Sequence, residues 1–316
     1  MFASRTIEKK ERIGDAGQRL LAEALASAMP RLSSDARRAA ASVAAGVHGR
    51  RRSGQGETFW QFRPFTSGEA ASRVDWRRSA RDDRLYVRER EWEAAQSVWL
   101  YIDRSASMDY QSNFAPVAKM ERAVVLGLAA ADMLVRGGER VGLMNASPAM
   151  ASRRIIERLA EAIVVNKTYG LEFPETPLGP RSEALIISDF IAPLNEVDRK
   201  LKILAGRGGR GHLVIVRDPA EETFPFSGQT EFVDPEDGFR LRLGEASELT
   251  ARYKDRMAAH REGLHRIAAN LGWSVTSHTT DKPASEALLR FAMVLSNAGG
   301  SNATGLNGTI KPGGAS

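Results

Sequence analysis

Val98-Trp99-Leu100-Tyr101-Ile102-Asp103-Arg104-Ser105-Ala106-Ser107-Met108 decides the fold class. A run of apolar, aromatic and β-branched residues ends in an aspartate. Two serines follow at alternate positions, and an amphipathic helix begins near Pro116. This pattern describes a buried strand carrying D-x-S-x-S to its C-terminal end, where open α/β sheets place their ligand sites. One carboxylate and two hydroxyls are hard oxygen donors suited to Mg²⁺ or Mn²⁺.

Downstream the pattern repeats as strand, helix, strand, helix. A helix over 116–135 stops at Gly137-Gly138, a short strand covers Arg140 to Asn145, and Ala149 to Val165 reads as helical. Ala184-Leu185-Ile186-Ile187-Ser188-Asp189 is a second buried strand ending in aspartate, and His212 to Val216 is a third. A helix fills 193–205. Thr230 to Leu243 reads as a hairpin, Glu245 to Leu271 as a long helix, Trp273 to His278 as a last strand and Pro283 to Leu295 as a last helix. Continuous apolar strands alternating with helices imply a doubly wound α/β fold with a mainly parallel, Rossmann-like sheet covered on both faces. In such a sheet the strands ending in Asp103 and Asp189 are neighbours at the switch point, and both carboxylates face one crevice.

Upstream, residues 7–29 carry a helical stripe that Pro30 is expected to end. Ser33-Ser34-Asp35 then caps a second helix running through Val47. Residues 57–97 contain two extended stretches, Thr58 to Phe65 and the alternating Arg84 to Trp92, around a looped or short helical insert. The divisions are therefore N-terminal helices over 1–48, a β-rich extension over 49–97, a strand–helix domain over 98–296, and a tail over 297–316 whose Gly, Asn, Ser and Thr content reads as disordered.

Composition narrows the function classes. The chain has 316 residues, no cysteine and a net charge of +6. Disulfides, thiolate zinc sites and a cysteine nucleophile are excluded, and a cytoplasmic location is expected. Neither an apolar leader at Met1 to Arg12 nor a membrane-spanning stretch is evident. The positive charge raises nucleic acid as a partner. Acidic residues interleave with the arginines from Arg50 to Arg90, however, and that favours local ion pairs over a phosphate track. No phosphate loop, GxSxG elbow, HExxH or dinucleotide fingerprint is present. Gly206 to Gly211 precedes a strand and reads as a loop. His260 and His265, five apart on a helix, do not share a face for zinc. Asp218-Pro219 reads as a turn, Asp75-Trp76 as an ion pair with an aromatic plug, and Trp60, Trp92 and Trp99 as packing residues.

D-x-S-x-S alone arises by chance in roughly one chain in ten of this length. The context is what gives it weight. Asp103, Ser105, Ser107 and Asp189 resemble the metal-ion-dependent adhesion site of von Willebrand factor type A domains. The segment before them is similar to a narrower family, the domain of unknown function 58. The residues that carry this likeness are Gly54-Gln55-Gly56, Arg63-Pro64-Phe65-Thr66-Ser67-Gly68-Glu69, Arg73-Val74-Asp75-Trp76, Ser79-Ala80-Arg81 and Tyr86-Val87-Arg88-Glu89, with Ser188-Asp189-Phe190 and Asp218-Pro219-Ala220-Glu221 further on. Glu69 stands where the family has aspartate.

The resemblance implies a type A-like domain over 98–296 and no catalytic activity. It also implies a divalent cation, Mg²⁺ or Mn²⁺, held by Asp103, Ser105, Ser107, Asp189 and a threonine. Thr168 and Thr176 are the candidates for that threonine, and Thr168 follows its helix more closely. The implied partners are a MoxR-type AAA+ ATPase and an acidic-residue-bearing target protein. Two rival readings are a nucleic-acid-binding protein and a metal-dependent phosphohydrolase. The second lacks an evident nucleophile or general acid, because the residues two beyond Asp103 and Asp189 are Ser105 and Ile191.

Overall fold

A computed structural model of the chain describes residues 15–47, 59–66, 69–81, 84–90, 96–166, 177–179, 182–206, 208–235 and 238–301. The elements run α1 (Asp15–Val47), β1 (Phe59–Pro64), α2 (Trp76–Ser79), β2 (Tyr86–Arg90), β3 (Ser97–Ile102), α3 (Lys119–Arg136), β4 (Arg140–Leu143), β5 (Ser147–Met150), α4 (Ile155–Val165), β6 (Ser182–Ser188), α5 (Leu194–Ala205), β7 (Arg210–Arg217), α6 (Pro219–Thr223), β8 (Thr230–Val233), β9 (Arg240–Leu243), α7 (Thr250–Asn270), β10 (Ser274–Thr279) and α8 (Ala284–Ser301). They fall into two compact units. Residues 48–95 form one, and α1 with everything from residue 96 onward forms the other.

The larger unit is built on a six-stranded sheet of order β10-β7-β6-β3-β4-β5. Every pairing is parallel except β4 with β5. Strand order reverses at β3, where the chain first builds outward through β4 and then returns to β6 on the other side. This is the doubly wound α/β arrangement. Alternate residues of the central strands point to opposite faces. Val98, Leu100 and Ile102 join Leu185, Ile187, Val214 and Val216 under α1, α3, α4 and α8. Tyr101, Ala184, Ile186, Leu213 and Ile215 lie under α5 and α7. No helix among the described residues is long and apolar enough to cross a membrane.

The N-terminal reading needs correction. One helix, α1, runs through Pro30 where two were expected. Leu25, Met29, Leu32, Ala36, Ala40 and Val43 keep one buried stripe across the proline. Packing that stripe onto the core outweighs the backbone hydrogen bond the proline forfeits. The helix expected from Ala149 also starts later, because Ser147 to Met150 is taken by β5. The last strand stands where expected, whereas α8 runs on to Ser301, into the tail expected from 297. β8 and β9 form the hairpin, closed by Asp234 N donating to Phe239 O at 2.8 Å.

In the smaller unit β1 and β2 pair antiparallel. Asp75 caps α2 by accepting from Arg78 N at 3.0 Å. Ser79 Oγ accepts from Tyr86 N at 2.9 Å, and the Arg78 guanidinium stacks 4.8 Å from the Tyr86 ring centre. Trp76 is not a plug within this unit. It opens α2 and is 62% exposed. Trp99 packs partly buried on the α5/α7 side. The side chain of Trp60, and the whole of Trp92, lie outside the described residues, as does the tail beyond 301.

Gly211 lies inside β7, not in the loop expected there. A Cβ on it would sit 2.2 Å from the Trp273 ring. That ring is pinned by its Nε1 donating to Gly209 O at 2.9 Å. Gly211→Ala is therefore expected to destabilise by about 1–3 kcal/mol, read as a lower urea midpoint at unchanged m.

His278 on β10 is 4% exposed. Burial, followed by the charge of Arg122, pushes its pKa from 6.5 down to about 3. Between those values the unfolded chain binds a proton that the folded one refuses. Stability from this residue is thus intact above about pH 6.5 and falls by about 1.4 kcal/mol per unit on acidification. Chemical denaturation of wild type and His278→Gln between pH 7 and about pH 5 should show the gap between them change by that slope.

Candidate functional site

Asp103 and Asp189 follow β3 and β6 at the same edge of the sheet. The ladder pairs Ile102 with Ile187 and continues one step further, as Asp103 N donates to Ile187 O at 2.9 Å. Both carboxylates are buried, at 1% and 3% exposure. Asp103 Oδ1 accepts from Ser105 N at 2.8 Å, and its Oδ2 from Ser188 Oγ at 2.6 Å. Ser107 Oγ donates to Asp189 Oδ2 at 2.8 Å and lies 3.1 Å from Ser105 Oγ. Asp103, Ser105, Ser107 and Asp189 are therefore gathered into one cluster. Thr168 and Thr176 lie outside the described residues. The chain that leads to them is fastened beside the cluster as far as Asn166. Arg104 Nη1 donates to Ile163 O at 2.6 Å and to Asn166 O at 2.7 Å.

The turn after β6 is unusual. Phe190 adopts a left-handed backbone, φ +53°, while fully buried. Its amide donates to Ser188 Oγ at 2.9 Å, and the next amide, Ile191 N, to Asp189 Oδ1 at 3.2 Å. His260 Nε2 donates to the Phe190 carbonyl at 2.7 Å. That contact fixes the turn and gives His260 a structural task. Such strain persists only where the surroundings over-determine it, and it concentrates at functional sites.

A residue that sequence reasoning passed over dominates the electrostatics. Lys119, in the first turn of α3, is 0% exposed. Its Nζ lies 2.9 Å from Asp189 Oδ2 and 2.5 Å from Glu221 Oε1. Burial pulls its pKa down, but the two carboxylates pull harder, and the net shift is upward. Glu221 belongs to a capping box on α6. It accepts from Asp218 N at 2.8 Å, while Asp218 accepts from Ala220 N. Asp218 is thus the N-cap of α6, where a turn with Pro219 was expected, and its other oxygen accepts from Ser112 N at 2.8 Å. The available signal for Lys119 was its place on the apolar stripe of α3, one turn before Ala123.

Charge here is unbalanced. Asp189 and Glu221 share the Lys119 ammonium, and Asp103 lies close enough to Asp189 to be repelled by it. Burial and then repulsion from Asp189 raise the Asp103 pKa to about 6, against the opposing pull of its hydrogen bonds from Ser188 and Ser105. The donor set fits a small hard divalent ion: two hydroxyls and two carboxylates, all oxygen, with a negative charge left over. Among the described residues no group of three or more His, Cys, Asp or Glu could hold a metal ion. A cation at this edge would therefore rely on hydroxyls and retained water as well as the two carboxylates.

The family model described as "Protein of unknown function DUF58" matches residues 61–263. The chain belongs to this family. Uncharacterized proteins of Mycobacterium bovis and Mycobacterium tuberculosis are 27% identical to it over 258 residues, covering 75% of this chain and 79% of each relative. The crystal structure of the conserved hypothetical protein BatB from Bacteroides thetaiotaomicron is a distant likeness. It covers 64% of this chain and 100% of that one at 14% identity, with a TM-score of 0.40.

Replacing Lys119 by Met removes the ammonium that lies between Asp189 and Glu221. Breaking a buried pair from one side costs about 3–5 kcal/mol, because the remaining charges stay buried. Lys119→Met is expected to lose that much in urea denaturation without added divalent ion.

Proposed function

We propose that this DUF58 chain is a non-enzymatic protein-interaction module in which a divalent cation bridges the sheet edge to a partner carboxylate. The observation that carries this reading is the cluster of Asp103, Ser105, Ser107 and Asp189 at the switch point, where carboxylates outnumber the one ammonium of Lys119. Ser105 and Ser107 would coordinate directly. Asp103 and Asp189 would hold the ion directly or through water. Mg²⁺ or Mn²⁺ keeps waters that an incoming carboxylate can displace. Phe114 and Ile191, 60% and 50% exposed, lie on the loops that serve this edge and offer apolar contact beside the ion. The resemblance to domain of unknown function 58 makes a MoxR-type AAA+ ATPase the partner to test, with the chain acting in the cytoplasm as its adaptor or chaperone-like factor toward acidic-residue-bearing targets.

The phosphohydrolase reading is the weaker one. Both Asp103 oxygens are engaged in hydrogen bonds, which leaves them poorly placed to attack phosphorus. Nucleic-acid binding is weakened by the local pairing of surface arginines with acids, as in Arg37 with Glu157 and Arg242 with Glu231.

Calorimetric titration of Mg²⁺ and Mn²⁺ into the EDTA-treated protein tests the ion. Saturable binding is expected in wild type, with a loss of tenfold or more in Asp103→Asn and Ser107→Ala, about the worth of one charge-assisted contact. Capture of the MoxR-type ATPase should then require the ion. Equal binding of Mg²⁺ by all three proteins, or none by wild type, would refute the proposal.

A further inference from the structure

The hairpin of β8 and β9 is a two-stranded sheet of its own. Such a ribbon is marginal alone, and this one is held by a cluster of rings. Phe232 lies 5.7 Å from Phe224 and 5.2 Å from Phe226, centre to centre, and Phe224 stacks 4.5 Å from Tyr253 on α7. Phe232 faces Leu241 across the ladder, so their side chains share one face. The rings leave the far end of that face open. Leu241 is 42% exposed and Phe239, two residues earlier, 64%.

The sequence of β9 alternates. Arg240-Leu241-Arg242-Leu243 puts two guanidiniums on one face and two leucines on the other. Arg240 and Arg242, with side chains 63% and 82% exposed, share one carboxylate, that of Glu231. Among the described residues no second strand pairs with the far side of β9. The phase of the ladder shows what that side offers. Asp234 N donates to Phe239 O, which makes those two a hydrogen-bonded pair. Bonded and non-bonded pairs alternate, so Val233 with Arg240 and Glu231 with Arg242 are non-bonded. The N–H and C=O groups of Arg240 and Arg242 therefore point outward, away from β8.

We propose that β9 takes up an extended segment of a partner protein as a third strand, one in which acidic and apolar residues alternate. Backbone hydrogen bonds to Arg240 and Arg242 hold the strand, and its side chains select it. Carboxylates on one face meet the two guanidiniums, and apolar residues on the other extend the surface begun by Leu241. Cations on a sheet edge ordinarily deter pairing. Against an acidic strand the same cations attract, so they make this edge selective. They also disfavour a second copy, because β9 against β9 sets arginines opposite arginines or opposite leucines. Strand addition needs no metal and shares no residue with the cation cluster, so either reading can fail alone.

The test follows the fluorescence anisotropy of a fluorescein-labelled peptide alternating glutamate and valine, titrated with the full chain. Saturable binding is expected, equal in EDTA and in Mg²⁺, and at least tenfold weaker when lysine replaces glutamate in the peptide. N-methylating one alternate set of peptide amides should abolish binding and N-methylating the other set should leave it, since a strand added to an edge uses one side only. Arg240→Glu combined with Arg242→Glu should reverse the preference toward the lysine peptide. If that variant loses the hairpin, the two N-methylated peptides carry the test on wild-type protein. The proposal fails if wild type shows no saturable binding, if the lysine peptide binds as well, or if both N-methylated peptides bind alike. A dimer in sedimentation that the glutamate peptide cannot dissociate would assign the edge to a second copy and overturn it too.

Discussion

The parallel pairing of β3 with β6 is the constraint on which the rest of the sheet edge depends. In register, Ile102 opposes Ile187, so the two strands end together and their aspartates emerge side by side in a buried place. Like charges at that distance in a low-dielectric setting repel strongly. The fold answers with hydroxyls on both sides. Ser188, directly across from Asp103, donates to it, and Ser107 reaches over to Asp189. Hydrogen bonds moderate the repulsion but bring no opposite charge, which the proposed cation would supply.

Lys119 supplies part of that charge from an unfavourable position. The first turn of a helix is the positive end of its dipole, and an ammonium there is disfavoured. Complete burial adds desolvation. Both costs are offset only because Asp189 and Glu221 converge on the same Nζ. Through Glu221 the lysine is also tied to the α6 capping box at the end of β7, and through Asp218 that box holds the loop before α3. The edge of three adjacent strands is thus tied together by one set of hydrogen bonds.

Much of this was legible in the chain. Apolar runs with period-2 neighbours and glycine breaks located β3, β6, β7 and the hairpin of β8 and β9. Aspartates at two strand ends located the cluster, because a strand terminus is set by local pattern and parallel pairing brings such termini together. What escaped notice depended on packing. Pro30 reads as a stop until the apolar stripe on both of its sides is counted as one surface. β5 is four residues whose pairing with β4 outweighs a helical pattern. Gly211 looks like loop punctuation until Trp273, sixty residues later, is found lying against it. Trp76 looked like core material because an aromatic beside arginines suggests burial, whereas its place at the start of α2 turns it outward.

Lys119 and Arg122 show the limit most clearly. They are three residues apart on one helix and both basic, but Lys119 is fully buried while Arg122 is half-buried. Tertiary context gives them opposite electrostatic fates. Lys119 meets two carboxylates and its pKa is pushed up, whereas Arg122 donates to the Thr280 carbonyl and burial pushes its pKa down. A buried cation already matched by acids is part of the scaffold, and removing it damages the fold.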